Sequence, residues 1–459
     1  MIVKYLYFVI FGMCISGAAF GYNIEENKNQ ISEGYNVVLI VANALRADHL
    51  GCYGYSLDTS AHIDSFAADS IVFERTVAQS YWTLPSLVSI FTSKFVCAHH
   101  VNSRDAKLRN DEITLAEILN TYGYATAAFT CGLDTAAIYG LNQGFDTYNV
   151  YGGSKAVGSF ADSMPKAVNW IAAQKDKNFF LFLHSYDAHP PYYTQRVETG
   201  FDSDYKGVFD NSQLGYDELK RIKNNKFYDG ERLVALDSKD IGYIIDRYDN
   251  RIRYIDRWIG FFINELKRLK LYNKTIIILC ADHGEELGER GTFNRFGNQN
   301  LYQEVIQVPL IIRHPQLVPK KRRIAAWTQL VDIMPTVLDY LDIPIGHDAH
   351  GSSLIPLIND RKEFSVHKYV FSEATRQKWV IVGDDGWKLL SNLGNSELFN
   401  IYRDPQENNN MALENIDTRI SLKKEYLIWR QSHAEEEAEN NYIYLDPNMI
   451  KALKDAGYW

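Results

Sequence analysis

The chain has 459 residues, 46% of them hydrophobic and 23% charged, with a formal net charge of −9. That length buries a large core, enough for one big α/β domain with a smaller companion, or for two to three domains. The acidic balance excludes nucleic acid as a main partner, because a phosphate backbone needs a basic surface, but it leaves room for a locally positive site that takes a small anion.

The N-terminus opens with Met1 to Lys4, a short positive start, followed by a mostly apolar stretch over residues 5–15 and the small residues Ser16, Gly17, Ala18 and Ala19. This is the pattern of a secretory signal, with cleavage expected after Ala19-Phe20-Gly21. A retained anchor is the alternative, although the apolar run is short for a membrane span. An extracytoplasmic location follows, periplasmic or secreted, with membrane contact only through that segment if it is kept. The five cysteines show no CxxC and no metal-type spacing. Cys280 lies in an apolar run and reads as a buried thiol. A disulfide among Cys52, Cys97 and Cys131 stays open in an oxidising compartment.

Short apolar runs at residues 37–41, 125–130, 179–183, 275–279 and 309–312 read as buried strands of a parallel sheet. A helix is expected from Leu115 to near Gly123. Another places Ile252, Ile255, Ile259, Phe262, Ile263 and Leu266 on one face. Alternating strands and helices predict a doubly wound α/β sheet. The polar, Asn- and Asp-rich stretch 194–239 reads as an insertion over the sheet, near the site entrance. The main domain is expected over 36–346. From 347 to 459 the texture changes to a smaller α+β subdomain. Its short strands at 369–372, 379–382 and 387–390 are broken by the hairpin signal Gly383-Asp384-Asp385-Gly386, and a helical, charged tail follows. The acidic run 435–439 in that tail reads as a solvated helix face.

Ligands of open α/β sheets sit outside the carboxyl ends of the strands. Three strands of this chain run into chemistry there: Asn43 to His49 after the first, His184 to Pro191 after the third, and Asp282 to Glu286 after the fourth. Between the first two lies Trp82-Thr83-Leu84-Pro85-Ser86, which reads as a helix start with Pro85 in the first turn. A hydroxyl at Thr83 would sit where backbone N–H groups favour an anion, and a nearby divalent cation would make it a nucleophile. The plain alternative is an N-cap. Asp282-His283 offers a hard oxygen and an imidazole, half of a metal site. His184, Asp187 and His189 are candidates for ligands, substrate contacts or loop packing.

These segments together resemble the sulfatase family of the alkaline phosphatase superfamily. Leu45-Arg46-Ala47-Asp48-His49-Leu50-Gly51-Cys52-Tyr53-Gly54 is similar to the family's opening motif, and Ser80-Tyr81-Trp82-Thr83-Leu84-Pro85-Ser86 to its nucleophile motif in a threonine variety. Asp187-Ala188-His189-Pro190-Pro191-Tyr192, Asp282-His283-Gly284-Glu285-Glu286-Leu287-Gly288-Glu289 and Asp404-Pro405-Gln406-Glu407 also match, in the right order. The resemblance implies an alkaline-phosphatase-like sheet, a divalent cation at its carboxyl edge (calcium, zinc or manganese), and hydrolysis of a sulfate, phosphate or phosphonate ester. It places Thr83 on the nucleophile position, His189 on a leaving-group position, and Asp282, His283 and Asn43 on metal-ligand positions. His184 and Asp187 are left as substrate contacts. The expected partner is a small anionic ester or a sulfated or phosphorylated glycan.

The departures from the family are specific. Asn43 and Ala44 stand where aspartates are expected, Leu87 where an arginine or histidine supports the nucleophile, Arg290 where histidine is frequent, and Phe296-Gly297 where a His-Gly pair is expected. Threonine at position 83 closes the usual route to formylglycine. Loss of carboxylates lowers affinity for a hard cation, and Leu87 and Phe296 remove groups that would stabilise transition-state charge. The alternative function is therefore a catalytically inactive envelope protein on the same fold that binds a glycan or a protein partner.

Overall fold

The structure, a computed structural model, describes residues 34–152, 158–174, 177–190, 192, 206–209, 219, 221–293, 301–316, 322–346, 348–359, 366–435, 442–443 and 451. The expected signal segment, residues 194–205, 210–218 and 220 of the insertion, Phe296 and the acidic run beyond Glu435 lie outside the described residues.

Among the described residues, fifteen strands and the helices between them belong to one compact unit from Gly34 onward. The main sheet contains β1 (Asn36–Ala42), β2 (Ile71–Val77), β3 (Ala125–Cys131), β4 (Thr147–Tyr151) and β5 (Phe179–Ser185). A small antiparallel sheet follows, made of β6 (Ile222–Lys223), β7 (Lys226–Tyr228) and β8 (Leu233–Ala235). The main sheet is completed by β9 (Thr275–Cys280), β10 (Gln307–Arg313) and β11 (Arg322–Gln329), in the order β11-β2-β10-β9-β1-β5-β3-β4. Strand β1 is central, parallel to both β5 and β9, and buried at every residue, as its unbroken apolar run requires.

The run at 309–312 was expected to be parallel like the others. It lies in β10, which runs antiparallel to β9 and to β2. The reason is local. After β9 the chain stays at the carboxyl edge, where Gly284 N donates to Val305 O at 2.6 Å and Glu285 N to Glu304 O at 3.1 Å. The chain therefore enters β10 from that edge and must run back.

The Ser238–Arg268 helix buries Ile252, Ile255, Ile259, Phe262, Ile263 and Leu266, the stripe read from the sequence, and extends it with Ile244 and Tyr248. Asp237 caps its N-terminus by accepting from Lys239 N and Asp240 N. The helix begins one residue before the expected end of the insertion. The part of that insertion described here, β6 to β8, touches the loop after β9, since Asn225 N donates to Gly291 O at 2.9 Å. The Thr83–Thr92 helix has all ten residues buried, with Phe91 edge-on to Phe182 at 4.9 Å.

The C-terminal sheet is an antiparallel meander of β12 (Tyr369–Thr375), β13 (Lys378–Gly383), β14 (Trp387–Asn392) and β15 (Asn395–Asn400). Strand β15 was not foreseen. Its sequence is largely polar, and pairing with β14 rather than an apolar period holds it. One face receives the Ile416–His433 helix, with Phe371 stacked on Trp429 at 4.0 Å and Trp379 on Tyr426 at 3.6 Å. The other face packs through Val370, Val380 and Val382 against Val77 and Trp327 of the main sheet. Cys52, Cys97, Cys131 and Cys280 are all free, and Cys280 is fully buried in β9. No helix among the described residues is long and apolar enough to cross a membrane.

Candidate active site

Strand β1 ends and its chain bends sharply. Asn43 N still donates to Ser185 O at 3.0 Å, but Ala44 sits at φ 58, in the left-handed region. For alanine that conformation costs about 1–2 kcal/mol. Neighbours hold it there: Ala44 N donates to Asp282 Oδ1 at 3.3 Å, the Tyr248 hydroxyl donates to Ala44 O at 2.7 Å, and Tyr248 accepts from Arg46 N at 2.9 Å. The bend turns the Asn43 side chain toward the ends of β9 and of the Thr83–Thr92 helix.

Asn43 Nδ2 donates to Thr83 Oγ1 at 2.6 Å and to Asp282 Oδ2 at 2.8 Å. Asp282 Oδ1 also accepts from His283 N at 3.1 Å. His283 Nδ1 is 2.7 Å from Gly284 O; a carbonyl only accepts, so Nδ1 carries the ring proton. Nε2 lies 3.5 Å from both Thr83 Oγ1 and Asp282 Oδ2. All four residues are fully buried. Thr83 proves to be the first helical residue rather than the N-cap, which is Trp82 and makes no side-chain cap bond. Its hydroxyl is thus spent on Asn43 and not on the helix.

The other expected site residues lie around this group in different roles. Both Asp187 carboxylate oxygens are engaged: Oδ2 accepts from Phe160 N at 2.9 Å and Oδ1 from Arg251 Nη2 at 2.6 Å. That carboxylate joins the start of the Phe160–Ala173 helix to the Ser238–Arg268 helix. His184 Nδ1 donates to Cys131 O at 3.2 Å, while its buried Nε2 has no hydrogen-bond partner. Burial lowers its pKa to about 3, so the ring is neutral. His189 places Nδ1 2.6 Å from Pro190 O and its ring 5.1 Å from that of Tyr186. Neither histidine has a bond to Thr83.

Tyr186 reaches Thr83 instead. Its hydroxyl is 3.4 Å from Thr83 Oγ1 and 2.9 Å from Asp134 Oδ2. Asp134 is paired with Arg104. Asp134 follows the end of β3 and Tyr186 follows β5, so the strand-end rule that singled out Asp282 also points to them. Arg104 lies in an irregular loop and carries no such signal. Arg46 was similarly missed in role: it pairs with Asp48 and Glu289 and donates to Glu285 O at 3.1 Å, fastening the exit of β1 to the exit of β9. Of the departures, Leu87 is buried within its helix, and Arg290 pairs with Glu304 and donates to Gln406 O, tying the loop after β9 to the C-terminal subdomain.

The group suits a divalent cation in donor type but not in charge. Asn43 Oδ1 is buried with no hydrogen-bond partner, which costs about 1–3 kcal/mol. Turning the amide would set that oxygen beside Thr83 Oγ1 and Asp282 Oδ2, with His283 Nε2 completing a set of oxygens and one imidazole. Only Asp282 brings a full negative charge. Among the described residues, no three His, Cys, Asp or Glu side chains gather into a metal-holding group.

The fold and its edge site define a class. A sulfatase family model matches residues 35–343, and the C-terminal model of N-sulphoglucosamine sulphohydrolase matches residues 288–432. The chain belongs to the sulfatase family. It is 22% identical to the N-acetylglucosamine-6-O-sulfatase of Bacteroides thetaiotaomicron over 82% of each chain. It is 23% identical to an arylsulfatase of Clostridium perfringens over 91% of this chain and 99% of that one. The phosphonate monoester hydrolase of Agrobacterium radiobacter superposes with a TM-score of 0.67 at 19% identity, covering 90% of this chain and 100% of the other. The structure of BT4656 in complex with its substrate D-glucosamine-2-N,6-O-disulfate superposes with a TM-score of 0.70 at 19% identity, covering 88% and 100%. These structural likenesses establish the alkaline-phosphatase-like fold.

Proposed function

We propose that the chain hydrolyses a sulfate, phosphate or phosphonate ester, with a sulfated glycan as the favoured substrate class. The carrying observation is the convergence of Asn43, Thr83, Asp282 and His283 within hydrogen-bonding reach at the carboxyl edge of the sheet. In this reading Asp282, His283 and Asn43 hold a divalent cation, which would supply Lewis acidity at the ester oxygen. Thr83 Oγ1 gives its proton to water as it forms the bond to sulfur or phosphorus and the bond to the leaving oxygen breaks. His189 delivers a proton to that oxygen, and water then releases the group from Thr83. The sulfated-glycan assignment is supported by two of the proteins named above, the N-acetylglucosamine-6-O-sulfatase and BT4656 with its substrate D-glucosamine-2-N,6-O-disulfate. An extracytoplasmic location belongs to the same proposal, supported by the Lys4-led apolar segment at the N-terminus.

A second reading, a non-catalytic glycan-binding protein, is favoured by one feature: Asn43 offers a neutral amide that already satisfies both Thr83 and Asp282. Metal analysis of the purified protein, with turnover of aryl sulfate, phosphate and phosphonate esters by wild type and Thr83→Ala, separates the two. Bound metal with Thr83-dependent turnover supports the hydrolase. Equal background rates in both proteins without bound metal support the binding protein.

A further inference from the structure

Thr83 has one hydroxyl hydrogen and two lone pairs. One lone pair accepts from Asn43 Nδ2 at 2.6 Å. An attacking oxygen must keep the other lone pair for the substrate, so the hydrogen needs a fixed acceptor that points it away.

Tyr186 is built to be that acceptor. Its hydroxyl also has a single hydrogen, and the nearer of its two partners is the Asp134 carboxylate at 2.9 Å, which can only accept. The Tyr186 hydrogen is thus committed to Asp134, and its oxygen turns a lone pair toward Thr83, 3.4 Å away. Asp134 is held in turn by the two terminal guanidinium nitrogens of Arg104, whose carbon lies 5.0 Å over the Trp82 ring, next to Thr83 in the chain. The Tyr186 ring has a prepared seat. Gly132, at φ 82 after β3, lies under it, and a Cβ there would fall 2.3 Å from Tyr186 Cε2. Tyr186 and Asp134 are each only 2% exposed, so water does not compete for these bonds.

We infer that Tyr186, seated on Gly132 and oriented by Asp134 and Arg104, is a positioning residue that directs the Thr83 hydroxyl. Its part in turnover rests on the hydrolase reading; its hold on the Thr83 rotamer does not. Tyr186→Phe removes the acceptor. Asp134→Ala frees the tyrosine hydrogen to point at Thr83 and reverses the bond. Asp134→Asn keeps an acceptor oxygen for Tyr186 and is the conservative rescue.

The test uses the full chain with methyl-labelled threonine, assigned with Thr83→Ala, and the same ester panel. The expected result is a shifted, rotamer-averaged Thr83 methyl resonance in Tyr186→Phe and Asp134→Ala, with Asp134→Asn near wild type. On any ester that wild type turns over, kcat falls about 10- to 100-fold in the first two variants with KM nearly constant. An unmoved Thr83 methyl in folded Tyr186→Phe overturns the inference, as does kcat loss that merely follows thermal stability across the three variants. If Tyr186→Phe does not fold, the contrast between Asp134→Ala and Asp134→Asn decides in the same way. Absence of wild-type turnover with a moved methyl overturns the hydrolase reading and leaves the positioning role standing.

Discussion

Asn43→Asp restores the carboxylate that the family resemblance implies and probes the site's charge directly. In the structure the substituted atom would sit where Asn43 Nδ2 lies, 2.8 Å from Asp282 Oδ2 and 2.6 Å from Thr83 Oγ1. Two carboxylates at that distance repel by about 6 kcal/mol at an effective dielectric of about 20. The protein has a cheaper escape. Holding one proton on the pair at pH 7 costs about 4 kcal/mol relative to an ordinary aspartate, and the shared proton replaces the lost donor. The lesser cost sets the expected penalty, about 4 kcal/mol at pH 7, falling to about 1.5 kcal/mol at pH 5. A divalent cation should recover it, by about 2.7 kcal/mol at a hundredfold excess over its Kd. Urea unfolding with chelator and with calcium, manganese or zinc, at both pH values, measures each quantity, and calorimetric titration gives the affinity directly. A pH-independent penalty of about 1 kcal/mol, with a cation response no larger than in wild type, would refute the placement of Asn43 in a cation site.

Three further perturbations follow from the same structure. His184 is buried neutral with its pKa lowered from 6.5 to about 3, so the unfolded chain binds a proton that the native chain does not between those values. Its contribution to stability is complete above pH 6.5 and is lost at about 1.4 kcal/mol per pH unit below it. His184→Gln should flatten acid unfolding by one proton's slope, leaving those of His314 and His350, whose pKa values burial also lowers to about 4. Lys388 and Glu407 form a fully buried pair at 2.7 Å joining β14 to the segment after β15. Lys388→Met leaves the carboxylate only Gln303 N at 2.7 Å and Arg290 at 3.8 Å and should cost about 3 kcal/mol, while the double change Lys388→Met, Glu407→Leu should restore part of it in a double-mutant cycle. Ala44→Gly removes the Cβ from a left-handed bend and should stabilise by up to about 1 kcal/mol in urea unfolding, without moving Asn43.

Strands β1, β3, β5 and β9 were legible because burial on both faces writes an unbroken apolar run, whereas β2 and β11 carry charged residues and were not read as strands. The direction of β10 was not legible, because it depends on where the preceding loop leaves the chain and not on β10's own residues. Strand β15 and the edge strand β4, whose residues are only half-buried, lacked an apolar signal for the same reason. At the site, residue type at a strand end brought Asn43, Thr83, Asp282 and His283 into view, and the structure draws these four together. It does not draw in His184 or Asp187, whose polar atoms are engaged by Cys131 O and by Arg251 and Phe160. Tyr186 was hidden among those same residues. A tyrosine after a strand reads as packing until the glycine under it and the carboxylate beyond it are seen.

The most direct measurement is the mass of the Thr83 peptide after acid quench of the protein on an activated aryl ester with divalent cation present. The account predicts the increment of one sulfuryl or phosphoryl group on Thr83, absent from chelated protein and from Thr83→Ala. Turnover without that increment, or an increment carried on another residue, would contradict it.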